Sequence, residues 1–235
     1  IMSSDWSSDV CSSDLPWPLL GGGENLTGKV EKTCYGGAIL VASKIKKAMA
    51  YQFKIKLEGT SKPPVWRKLL VPENYTFADL HMAIQGAFGW YNAHLFRFHD
   101  GWDGNISIGI PFDDGFGDQL DEDAKKIKIN QLFKAEKQKL RYEYDFGDSW
   151  DHSLVLEKIT DDKIMQARCL AGKGACPPED CGGIPGYYML VEAVNDPEHE
   201  EYEDMREWLG MEEDEDWDVK YFDLEETNAR MLAYL

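Results

Sequence analysis

The stretch LRYEYDFGDSWDHSLVLEKI, Leu140 to Ile159, alternates side-chain character on both sides of Gly147-Asp148. A period of two interrupted by Gly-Asp predicts a β-hairpin. Two strands alone are at best marginally stable in water, so further strands or a helix must cover the apolar face. A two-residue turn at Gly147-Asp148 sets Asp145 opposite Trp150 and Glu143 opposite His152, all on one face. Tyr142, Tyr144 and Phe146 then point the other way, into the core. On this register a carboxylate holds His152 in one tautomer, for metal ligation or acid–base work. The alternative is turn chemistry, with Asp148 and Ser149 satisfying backbone groups and His152 an ordinary sheet histidine.

The covering elements precede and follow the hairpin. YQFKIKLEG places Tyr51, Phe53, Ile55 and Leu57 on one face of a strand, and VWRKLLVP supplies a second after an SKPP turn. Thr76 and Asp79 form a near capping box for a helix with Leu80, Ala83, Ile84, Ala87 and Phe88 as its stripe and Gly89 as its stop. HLFRFH reads as the next strand, so His94 and His99 face opposite sides, roughly 17 Å apart, and do not chelate one metal together. Either can join a site built by other elements. Three helices are predicted near the end. The first runs from Gly186 to Val194, and the second is capped by Asp196 with Pro197 at its first position and Gly210 at its end. The third runs from Leu224 to Tyr234, boxed by Asp223 and Glu226. The order β-β-α-β, loop, hairpin, helices predicts an α+β fold on a mixed or antiparallel sheet.

The first 48 residues do not share this patterning. DWSSDVCSSDL, Asp5 to Leu15, carries three Asp and no Lys or Arg, which excludes a secretory signal. It resembles the translation of a DNA-sequencing adapter, and the expectation is that residues 1–15 are an assembly artefact. Residues 1–48 are read as an artefact or disordered upstream extension, Met49 as the natural start, and residues 49–235 as one domain. The net charge of −18 falls wholly on that domain, because residues 1–48 hold five acids and five bases. An acidic chain repels phosphate backbones, so a protein partner is expected over nucleic acid. The clustered Lys125, Lys126, Lys128, Lys134, Lys137, Lys139 and Arg141 are interleaved with Glu136 and Glu143 and read as a solvated face. With no apolar run of about 18 residues, no membrane association is expected, and the default location is cytoplasmic.

Cys169, Cys176 and Cys181 offer three thiols, with a gap of four residues between the last pair that suits zinc. The expectation is a structural zinc held by Cys169, Cys176, Cys181 and His152, with His199 as second choice for the fourth ligand; the alternative is three reduced, unliganded cysteines. Glu179 and Asp180, just before Gly182-Gly183 and a helix, can bind a metal, act as acid and base, or accept backbone N–H bonds in a rigid loop. Arg67, mid-strand, is expected to pair with one of these acids. Gly- and Asp-rich residues 100–124 lack the ligand spacing of an EF-hand.

PPVWRKLLVP, FGW before HLF, YEYDFGDSWDH, CPPEDCGGIPGY and the closing YFDLEETNARML occur in that order. Over about residues 49–230 the chain resembles the plasmid pRiA4b Orf-three-like family. The resemblance implies an α+β fold and recurring residues: Arg67, Asp145, Gly147, Asp148, Trp150, His152, Pro177, Pro178, Glu179, Asp180, Gly182, Gly183, Gly186 and Tyr187. It implies no settled activity, and its mobile-element setting suggests nucleic-acid binding only as a third possibility. The leading expectation is a binding or interaction module, zinc-stabilised, with the PPEDCGG loop and the hairpin forming one site. The alternative is a metal-dependent hydrolase using His152, Asp145, Glu179 and Asp180.

Overall fold

The computed structural model describes residues 49–235, apart from 102, 112–121 and 213. The expectations for residues 1–48 therefore lie outside the described residues. Strands β1 (Ala50–Leu57) and β2 (Trp66–Pro72) lead into helix α1 (Phe77–Phe88), followed by β3 (Phe96–His99), β4 (Ser107–Gly109), β5 (Glu122–Asp123) and the single turn α2 (Ile129–Leu132). Then come β6 (Lys139–Tyr144), β7 (Trp150–Thr160), β8 (Arg168–Lys173) and helices α3 (Gly183–Asn195), α4 (Tyr202–Leu209) and α5 (Leu224–Tyr234). The strands form one sheet in the order β5-β4-β3-β6-β7-β1-β2-β8. All pairings are antiparallel except β4 with β5. This is the expected α+β architecture. No helix among the described residues is long and apolar enough to cross a membrane.

Local rules account for the helix ends. Thr76 accepts from the Asp79 N–H while Asp79 accepts from the Thr76 N–H, so two of the orphan donors of α1 are satisfied reciprocally. Asp223 caps α5 by accepting from the Glu226 N–H at 2.7 Å. The helix read as starting at Pro197 begins instead at Tyr202. Asp196 spends its carboxylate on a tight turn, accepting the Glu198 N–H at 3.0 Å. Helix α3 starts three residues earlier than expected, at Gly183.

Helix α1 lies across the aromatic face of the sheet. Its Phe77 meets Phe98 edge-on at 5.0 Å, and its His81 stacks on Phe96 at 3.6 Å. Helix α5 packs against α1 so closely that a Cβ on Gly86 would sit 2.8 Å from the Met231 Cα. On the outer side of β8, the Asn228 side chain of α5 accepts from the Cys169 N–H and donates to the Cys169 carbonyl, at 2.8 and 3.1 Å.

The hairpin is present, but its register differs by one residue from the expectation. Tyr142 faces His152, and Tyr144 faces Trp150. The connection is not the two residues Gly147-Asp148 but the five residues 145–149, with Asp145 and Ser149 both in left-handed conformations at φ 56° and 52°. The Ser149 N–H closes it on the Asp145 carbonyl at 2.7 Å, and the Asp145 carboxylate accepts the Gly147 N–H at 2.9 Å. Because side chains alternate, this slip turns Trp150 and His152 into the core beside Tyr142 and Tyr144, and all four are fully buried. Phe146, expected inside, is exposed in the loop, under the Arg97 guanidinium.

Two buried histidines make the core sensitive to acid. Burial depresses His152 to about 4, opposed by its bonds to the Tyr142 and Trp150 carbonyls. It likewise lowers His81 to about 4, against a bond to Asn92. Both groups bind protons more weakly folded than unfolded, so the stability tied to their neutral forms is complete above about pH 6.5 and is lost as pH falls toward 4. The expected cost at pH 5 is roughly 2 kcal/mol for each histidine. Urea unfolding at pH 7 and pH 5 checks this: His81→Asn should flatten part of the dependence, and a dependence unchanged by that substitution contradicts it.

Candidate functional site

The site forms where three chain segments meet at one end of the hairpin. The first runs from Trp90 to Leu95, between α1 and β3. Asn92, at φ 57°, donates its N–H to Gln85 and holds its side-chain oxygen 2.7 Å from His81 Nε2. His81 Nδ1 accepts from the Tyr142 hydroxyl at 2.8 Å, and Gln85 donates to that same hydroxyl. This buried network fixes the segment. The N–H groups of Ala93 and His94 then donate to the Tyr144 hydroxyl at 3.0 and 3.3 Å.

The second segment is the hairpin loop. Asp145 donates its N–H to the Leu95 carbonyl at 2.9 Å, which seats its carboxylate beside His94. The third is the loop leading into α3. Trp90 Nε1 donates to the Pro177 carbonyl at 3.0 Å, the Tyr144 hydroxyl donates to Glu179, and the Gly182 N–H donates to the Asp148 carboxylate at 3.1 Å. Burial and the Glu179 carboxylate together hold the Tyr144 hydroxyl well above its ordinary pKa, so it remains a donor.

His94 lies between two carboxylates. Its Nδ1 is 3.5 Å from Asp145 Oδ2, and its Nε2 is 3.2 Å from Asp180 Oδ1. That Nε2 is buried yet has no hydrogen-bond partner, although Asp180 Oδ1 stands 3.2 Å away. One ligand atom from each of His94, Asp145 and Asp180 lies within 4.8 Å of the others, a grouping that can hold a metal ion. Asp145 is buried, whereas the Asp180 side chain is 69% exposed. The cluster therefore has a fixed inner wall and an outer wall open to solvent.

Not all of the expected site residues converge here. His152 packs edge-on against the stacked rings of Phe88 and Trp90, at 4.9 and 5.4 Å, and among the described residues it has no hydrogen bond to a carboxylate. Its Nδ1 is spent on backbone carbonyls. Cys169, Cys176 and Cys181 are free thiols, and no grouping of three such ligands among the described residues contains them. Burial, together with the charges of Asp148 and Asp180, pushes the Cys181 thiol up to about 12. Burial also holds Cys176 high, against the opposing pull of Arg67 and Arg230. Among the described residues Arg67 has no acid within ion-pair distance. It donates to the carbonyls of Ala87, Trp66, Lys173 and Gly174, between the rings of Phe88 and Phe222. Tyr187 is buried on α3, and Trp150 is fully buried in the core.

The hairpin loop and the loop into α3 meet without a gap at Gly183. Its φ is +67°, and a Cβ there would fall inside van der Waals contact with the Asp148 carbonyl. Gly183→Ala is therefore expected to cost roughly 2–3 kcal/mol, combining left-handed strain with a backbone clash. A denaturant midpoint shift worth less than about 1 kcal/mol would show that the two loops separate easily.

The family model described as "Plasmid pRiA4b ORF-3-like protein" matches residues 49–226, which includes every site residue above. The chain belongs to that family. A Sinorhizobium fredii relative, the uncharacterized protein y4hQ, is 33% identical over 168 residues, covering 69% of this chain and 82% of its own. A crystal structure of MM3350, a protein of unknown function from Methanosarcina mazei Go1, is 40% identical with a TM-score of 0.65, covering 76% of this chain and 96% of its own. For this pRiA4b ORF-3-like chain the relatives thus supply the fold, and any function must come from the geometry. The hairpin loop and the PPEDCGG loop do come together. The histidine they surround is His94, just outside its strand, and the network that places it (His81, Gln85, Asn92, Tyr144) carries no motif that would single it out in the sequence.

Proposed function

We propose that this pRiA4b ORF-3-like chain is a metal-binding module whose site is His94, Asp145 and Asp180, with zinc as the fitting ion. The observation that carries this is the buried, hydrogen-bond-free His94 Nε2 held 3.2 Å from Asp180 Oδ1. An imidazole nitrogen with carboxylate oxygens suits zinc and its first-row neighbours better than magnesium or calcium, which favour all-oxygen shells. Asp145 is oriented by the Gly147 N–H, as carboxylate ligands commonly are by a second hydrogen bond.

A second reading is a metal-dependent hydrolase. It is favoured by the exposure of Asp180 and by a ligand count of three, because catalytic zinc sites keep a position for water whereas structural ones close it. In that role His94, Asp145 and Asp180 hold the ion, and Glu179, hydrogen-bonded to Tyr144, is the nearby carboxylate available for proton transfer.

Elemental analysis and zinc titration of the purified chain test the first reading, beside His94→Ala and the double variant Cys176→Ser/Cys181→Ser. One zinc per chain, lost in the first variant and kept in the second, is the expected result. Loss in the cysteine variant alone would return the ion to the thiols. Zinc-dependent turnover in an ester and phosphoester panel would raise the hydrolase reading above a purely binding one.

A further inference from the structure

A groove of about 300 Å³ runs between α3 and α4, next to the site described above. Its floor is Leu190 and Ala193, both buried, and its walls are Met189, Met205 and Trp208. Met189 is 63% exposed and Trp208 50%, an unusual amount of large apolar surface for two facing helices. The stripes follow helical spacing, with Gly186, Met189, Leu190 and Ala193 on α3 and, after Glu201 at the N-cap, Met205 and Trp208 on α4. Asp180 and Glu201 are the charged residues that line it.

The surroundings are one-sided in charge. Between Cys176 and Val219 the sequence holds sixteen Asp/Glu and one Arg. That Arg206 does not offset them at the surface. It is buried, and its guanidinium donates inward to the carbonyls of Val194, Glu212 and Glu215. Glu198, Glu200, Glu203, Asp204 and Glu207 are accordingly left facing solvent or half-exposed around an apolar trough.

We propose that this groove docks a basic, amphipathic segment of another protein, one that inserts apolar side chains between Met189, Met205 and Trp208 and sets Lys or Arg against the acidic rim. Methionine walls re-pack around varied apolar shapes, and tryptophan is a frequent energetic anchor of interfaces. The charge supplies steering and rejects acidic or phosphate-bearing partners, while the trough distinguishes an amphipathic segment from a merely cationic one. This goes beyond metal binding, although Asp180 is shared by the two features.

The test is fluorescence anisotropy of a labelled Leu/Lys amphipathic peptide titrated with the full chain, with chelator present so that the result does not depend on the His94 site. A Ser/Lys peptide of equal charge and a Leu/Glu peptide of equal pattern serve as comparisons. The Leu/Lys peptide is expected to bind at least about tenfold more tightly than either, and to weaken about tenfold with Met189→Lys or Trp208→Ser. Both positions are well exposed, and circular dichroism confirms that the variants fold. Absence of binding, equal binding of the Ser/Lys peptide, or undiminished binding in both variants would overturn the proposal. So would a concentration-dependent dimer abolished by Met189→Lys, which would make a second copy the occupant.

Discussion

Arg67→Ala is expected to lower stability by about 3–5 kcal/mol, a large part of what holds a domain of this size together. The guanidinium is 3% exposed and donates to four backbone carbonyls from α1, β2 and the end of β8. Removing it takes that donor from all four carbonyls, opens a space between Phe88 and Phe222, and loosens the seam from which the loop into α3 departs. Water entering from the adjoining cleft recovers some of the loss, which keeps the figure below the sum of four broken bonds. Arg67→Lys separates shape from charge. An ammonium keeps the charge but lacks the planar fork, so the lysine variant should recover only part of the deficit in a guanidinium chloride midpoint. If lysine matches the parent, charge alone is what the position requires.

At the metal site, His94→Ala is expected to weaken zinc binding at least about 100-fold, and Asp180→Asn by a smaller factor because its carboxylate is solvent-exposed. Asp145 is a poorer probe, since its carboxylate also closes the hairpin loop and its loss would mix folding with ligation. Competition against a chromophoric chelator gives the affinities, and the thermal midpoint with and without zinc gives an independent measure, because an ion bound only to the folded state must raise it. A His94→Ala chain that binds zinc as well as the parent removes the proposed site. Without metal that variant is expected to lose no more than about 1 kcal/mol, because the partly exposed His94 side chain contributes only the 3.5 Å approach of Nδ1 to Asp145 and an edge contact with Tyr144.

What could be read from the residues was mostly local. The capping pairs Thr76–Asp79 and Asp223–Glu226, the alternation of β1 and the existence of the hairpin all depend on neighbours within a few positions. The hairpin register departs from the two-residue turn for an equally local reason that composition hides: Asp145 and Ser149 both adopt left-handed backbone angles, which few non-glycine residues do, although aspartate does so more often than most. That single slip exchanged the roles of two histidines. With His152 turned into the core, the imidazole facing the carboxylates comes from the segment before β3, where Asn92 and Tyr144 place it through contacts distant in sequence. Asp145, Asp180 and His94 were each identifiable as candidates. Their convergence was not, because it depends on how two loops close against each other at Asp148 and Gly182.

The pairing of Asn228 with both backbone groups of Cys169 has a consequence for assembly. A side-chain amide offers the same donor and acceptor as a peptide unit, so at this point the outermost long strand already has the neighbour that another chain would otherwise supply. Among the described residues the opposite margin ends in the two-residue β5, too short to template a partner. Among the described residues, sheet-to-sheet growth, the usual route by which exposed strand margins recruit copies or seed fibrils, is thereby opposed at Cys169 on one side and by the short β5 on the other.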